Sequence, residues 1–104
     1  MMSTQNTFSF SGQMIEWRGP APYYFVEIPF EVSAQIKALS AQLTYGWGVI
    51  PVQGKIGNTE FTTSLIPKNG IYLLPIKNVV RFAQNLEPYQ NVAAELNLQE
   101  NGNI

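Results

Sequence analysis

The chain has 104 residues, enough for one domain, and is 45% apolar and 12% aromatic, which excludes a disordered chain. Charged residues are only 12% of the total, the net charge is −1, and the six basic residues form no block, which argues against strong electrostatic binding of nucleic acid. There is no Cys, His or Asp, so disulfides, thiolate and imidazole chemistry and zinc sites of the usual ligands are excluded.

The polar N-terminus carries no basic, apolar leader pattern, and the longest apolar run, Ile71 to Ile76, is too short to cross a bilayer. The expectation is one domain over residues 1–104, ordered at about 7–99, in the cytoplasm. Phe8 and Phe10 alternate with Ser9 and Ser11, a strand that extends to Trp17 with Gly12 as a bulge or bend. Gly19-Pro20-Ala21-Pro22 breaks it, and Tyr23 to Ile28 forms a second strand that Pro29 ends. Pro29 also suits a helix start, and Val32, Ile36, Leu39 and Leu43 make an apolar stripe, so a helix is expected at about 30–41.

After Gly46-Trp47-Gly48, a strand through Val49, Ile50 and Val52 contains Pro51, which implies an edge or a bulge. Gly57-Asn58 and Asn69-Gly70 mark two tight hairpin turns, with strands from Thr59 to Ile66 and from Ile71 to Leu74. Pro75 should end the latter strand and open a second helix at about 76–85, its core stripe being Val79, Phe82, Ala83 and Leu86. Pro88-Tyr89-Gln90 turns the chain into a last alternating strand, Val92 to Leu98.

The two strand–Pro–helix junctions echo each other, Pro29 and Pro75 lying 46 residues apart. At that spacing Ile28 meets Leu74, Ile36 meets Phe82, Ile50 meets Leu96 and Val52 meets Leu98. Two hairpin–helix–strand units related by a pseudo-twofold axis would close a barrel that neither could close alone. On this reading Ile36 and Phe82 enter one core from opposite sides.

The ordered set Phe10, Trp17, Pro29, Gly48-Val49, Ile56-Gly57, Thr63-Ser64-Leu65-Ile66-Pro67, Gly70 through Lys77 and Val80-Arg81 resembles the microbial DUF1905 domain family, over about residues 8–98. The stretch from Leu74 to Leu96 is more distantly similar to the AbrB/MazE swapped-hairpin proteins. The resemblance implies a mainly β fold, a small closed Greek-key double-split β-barrel with two short helices, and no settled activity. One departure stands out: the family has Gly-Asp where this chain has Tyr89-Gln90. With Pro88 before it, a type I turn would spare Tyr89 a positive φ.

For chemistry, Ser64 is the candidate nucleophile, but only a Ser64–Lys77 pair exists to activate it, and strand hydroxyls usually pair across a sheet. Lys77 and Arg81, four apart on the second helix, share a face able to clamp a phosphate or carboxylate, or else form a solvated face or pair Arg81 with Glu60 or Glu95. Trp47 between its glycines either presents an aromatic to a ligand or fills the core. The expectation is a non-catalytic binding module for a small-molecule or protein partner, using Lys77, Arg81, Ser64 and Trp47. No catalytic residue, metal or cofactor is expected, and the chain should be a monomer or weak homodimer. The alternative, from fold analogy, is a DNA-binding regulator or antitoxin-like protein.

Overall fold

The computed structural model describes residues 7–20, 23–42 and 50–98. Six strands and two helices follow in the order β1 (Thr7–Trp17), β2 (Tyr23–Glu27), α1 (Phe30–Gln42), β3 (Ile50–Ile56), β4 (Thr59–Lys68), β5 (Ile71–Ile76), α2 (Asn78–Ala83) and β6 (Asn91–Leu98). All neighbouring strands are antiparallel and the sheet closes in the ring order β1-β2-β5-β4-β3-β6. The period-2 patterns set the inward face. On β6 Val92, Ala94, Leu96 and Leu98 are buried while the residues between them are exposed, and on β3 Ile50, Val52, Gly54 and Ile56 are buried.

β1 and β4 each change partner midway. β1 pairs with β6 over Thr7–Gln13 and with β2 over Met14–Trp17. β4 pairs with β3 over Thr59–Leu65 and with β5 over Ile66–Lys68. Gly12 lies in an unbroken register, not a bulge, but a Cβ there would collide with the Glu27 carbonyl oxygen, so glycine is needed where β1 crosses the end of β2. The registers place α1 and α2 at opposite ends of the barrel, and both contribute to one core through Ile36 and Val80.

Hairpin turns follow the expected chemistry. Asn69 and Gly70 both have positive φ, as a type I′ turn requires, and Gly57 has positive φ at the first central position of the β3–β4 turn. α2 ends in a Schellman arrangement: Asn85 is left-handed, Leu86 N–H donates to Arg81 O at 2.9 Å and Asn85 N–H to Phe82 O at 3.3 Å.

Four expectations need correction. Phe82 is 65% exposed and Val79 70%, and Ala83 is exposed too, whereas Val80 is buried; of the apolar stripe expected on α2 only Leu86, just past the helix, reaches the core, beside Val80. α2 starts at Asn78, and Pro75 lies inside β5 opposite Phe25. Ile28 N–H donates to Tyr72 O, which makes that pair hydrogen-bonded; alternation then turns the Pro75 nitrogen away from β2. The β4 ladder has already stopped at Leu73, so no ladder bond is lost there. Pro29, by contrast, directly precedes α1 and its carbonyl accepts Ser33 N–H at 2.8 Å, so the two prolines do not occupy matching corners.

The third correction is to the uniform 46-residue spacing. Exchanging β1 with β4, β2 with β5 and β3 with β6 leaves the list of neighbours unchanged. Val26 and Tyr72, 46 apart, pair with Met14 and Pro67, 53 apart. At that second spacing Thr7 corresponds to Glu60, and their partners Asn97 and Lys55 are 42 apart. Under that exchange Leu96 would fall on Gly54 and not on Ile50, and Leu98 on Ile56 and not on its own register partner Val52, because the connection through the shorter α2 is four residues shorter. Finally, Tyr89 does adopt a positive φ of 70°, with Gln90 N–H closing the turn on Glu87 O at 3.2 Å, the form expected of a type II turn.

Candidate functional site

Ile76, the last residue of β5, pairs with Tyr24 of β2, and the same tyrosine lies opposite Glu16 of β1. After Lys77 alone, α2 begins and lies over this end of the barrel, anchored by Val80 in the core and by Gln84, whose amide donates to Asn58 Oδ1 at 3.0 Å and Thr59 Oγ1 at 2.8 Å. That docking lays Arg81 over the ring of Tyr24, its Cζ 4.1 Å from the centroid, and 4.8 Å from the ring centroid of Phe82. Both are within cation–π range.

Arg81 is half-buried and its Nε is buried without a hydrogen-bond partner. The carboxylate nearest in the chain of contacts, Glu16, is engaged elsewhere: it accepts the Tyr24 hydroxyl at 3.4 Å and lies 3.7 Å from Arg18 Nε. Arg81 forms no ion pair with Glu60 or Glu95; those two flank Lys55, which is in register with both. The guanidinium is thus held on an aromatic face with its Nε–H buried and unpaired, an unfavourable state for a charged donor.

The other expected residues lie apart from this arrangement. Lys77 is exposed, in extended conformation at the start of α2, and its carbonyl accepts the N–H groups of Val80 and Arg81. Ser64 is half-buried on the outer face of β4 opposite Pro51. No hydrogen bond or ion pair among the described residues joins Ser64, Lys77 and Arg81. Trp47 lies outside the described residues.

Tyr24 and Glu16 were missed by sequence reading. The period-2 pattern puts Tyr24 on the inward face with Val26, yet nothing in it says that an arginine 57 residues later reaches that ring. The outer wall around β1 and β2 carries a ladder of Trp17, Tyr23 and Phe25, with ring centroids 5.3 and 6.2 Å apart. No group of three or more metal-ligating side chains occurs among the described residues, and no helix there is long and apolar enough to cross a membrane.

A family model, "Domain of unknown function (DUF1905)", matches residues 10–96. A comparison with curated proteins gave no match.

Proposed function

The chain belongs to the DUF1905 family, and we propose that it is a non-catalytic binding module that takes a small-molecule or protein partner through an anionic group held by Arg81. The observation that carries this reading is the buried, partnerless Nε of a guanidinium stacked on Tyr24. Tyr24 fixes the plane of the fork, so a carboxylate or phosphate meets donors already oriented. Glu16, holding the far edge of Tyr24 through its hydroxyl, orients the ring.

The test follows the Arg81 Nε–H resonance by NMR while sodium acetate or sodium phosphate is added to the full chain. A saturable shift in the wild type, lost in Arg81→Lys, supports the reading, because an ammonium cannot replace the planar fork. An unmoved Nε resonance overturns it.

We also propose the finer architecture: a Greek-key double-split barrel of two β–β–α–β units about a pseudo-twofold axis. The neighbour list that survives exchange of the units supports it. A cytoplasmic monomer or weak homodimer completes the proposal; absence of Cys is compatible with a reducing compartment. Charge does not favour the DNA-binding alternative. The outer face of β4, β3 and β6 carries Lys55 between Glu60 and Glu95, not a basic surface.

A further inference from the structure

At the end of the barrel opposite Arg81, α1 leans over the β4–β5 hairpin and leaves a groove of about 560 Å³. One helix face, Phe30, Ser33, Ala34 and Lys37 at i, i+3, i+4 and i+7, forms one wall, and the hairpin from Pro67 to Tyr72 forms the other. The volume lies within the range of small-molecule sites, roughly 300–1,000 Å³. We propose that this groove binds a small apolar carboxylate, an aliphatic or aromatic acid.

The floor argues for an apolar body. Ser33 is buried, and its hydroxyl proton is committed: it donates to Ile28 O at 3.1 Å, and the oxygen accepts Tyr72 N–H at 3.0 Å. Tyr72 O in turn accepts Ile28 N–H at 3.0 Å. The floor around Ser33 therefore offers a ligand no free donor, and the walls add the ring of Phe30, 68% exposed, with Ala34 small enough to leave the space open. A ligand here gains by burying hydrocarbon.

The rim argues for the charge. Lys37 and Lys68 both line the groove, both are exposed, and neither ammonium group has an ion-pair or hydrogen-bond partner among the described residues. Among the described residues no glutamate lines it. Lys68 also borders a neighbouring cavity of about 230 Å³, but Glu27 lines that one and would repel an anion. Two unopposed ammonium groups over an apolar floor are complementary to an amphipathic anion. The site is separate from Arg81 and stands or falls without it.

The test uses the isotope-labelled full chain and three probes of equal chain length, sodium octanoate, 1-octanol and octylammonium chloride, all well below micelle-forming concentrations. Octanoate should shift the amides of Ala34, Gly70 and Ile71 saturably, with octanol roughly tenfold weaker and octylammonium inert. Lys37→Glu combined with Lys68→Glu, both at exposed positions, should weaken octanoate by roughly tenfold or more and admit octylammonium. Ala34→Trp should block octanoate without changing the charge, while Arg81→Lys should leave its binding untouched. Octanol binding as tightly as octanoate, binding indifferent to the charge reversal, or octanoate shifts confined to the surroundings of Arg81 with none at Ala34, Gly70 and Ile71 would each overturn the proposal.

Discussion

Two residues do work that their types alone do not announce. Ser33 stands where β2 and β5 separate to let α1 begin, and its hydroxyl bridges Tyr72 N–H and Ile28 O, which would otherwise face each other across a widened gap. Ser33→Ala strands two buried backbone groups and should cost about 1–3 kcal/mol in a urea denaturation series. Tyr89 sits at φ 70° with its side chain 61% exposed, so the backbone carries the cost of a left-handed residue with little packing in return. Tyr89→Gly should raise stability by about 0.5–1 kcal/mol, the relief of strain being partly offset by the greater freedom of glycine in the unfolded chain. A lowered denaturation midpoint would mean that the ring contributes more than its exposure indicates. The sequence did mark this corner, through Tyr where the resembled family has Gly, but it could not say that the turn keeps its shape and strains the residue.

The helices separate pattern from packing. α1 presents Ile36 to the core as its stripe indicated, whereas α2 presents Val80 and leaves Val79 and Phe82 outside. A helix of six residues is too short for periodicity to select a face, and the docking of Gln84 on the β3–β4 turn decides it. Ile36→Ala should therefore cost about 2–5 kcal/mol by leaving a cavity. Val80→Ala should cost about 2 kcal/mol. Phe82→Ala should stay within about 0.5 kcal/mol, as for an exposed position. Thermal or urea midpoints of the three variants, compared side by side, distinguish the two faces: a large loss for Phe82→Ala with none for Val80→Ala would place the other stripe inward.

At the scale of the whole molecule the barrel closes because β1 and β4 each serve two neighbours, which leaves no long unpaired edge. If the two units are related by a pseudo-twofold axis, superposing them in a crystal structure should bring Leu96 onto Gly54 and Val92 onto Ile50, with α1 overrunning α2. Strand directions that fail to superpose would leave the matched neighbour list as the only likeness. The low, mixed charge of the outer faces leads to a further expectation, that duplex DNA binds no better than non-specifically at physiological salt. Fluorescence anisotropy showing submicromolar, salt-sensitive binding would restore the DNA-binding alternative.

The alternation on β1 and β6, the turn residues Gly57, Asn69 and Gly70, and the stripe of α1 through Ile36 were all legible in the chain, because each is a local preference read over a few neighbours. Those preferences, with the order of the short motifs, were enough to determine a mainly β barrel with two helices. Tertiary structure alone decided what depends on residues far apart. The register offset by four residues between the two halves came from the unequal helices, the place of Pro75 inside β5 from the end of the β4 ladder, and the face of α2 from its docking. The meeting of Arg81 with Tyr24 and the groove between α1 and the β4–β5 hairpin belong to the same class. A site made by closing a barrel exists only once the closure brings distant side chains together, and no window of sequence contains it.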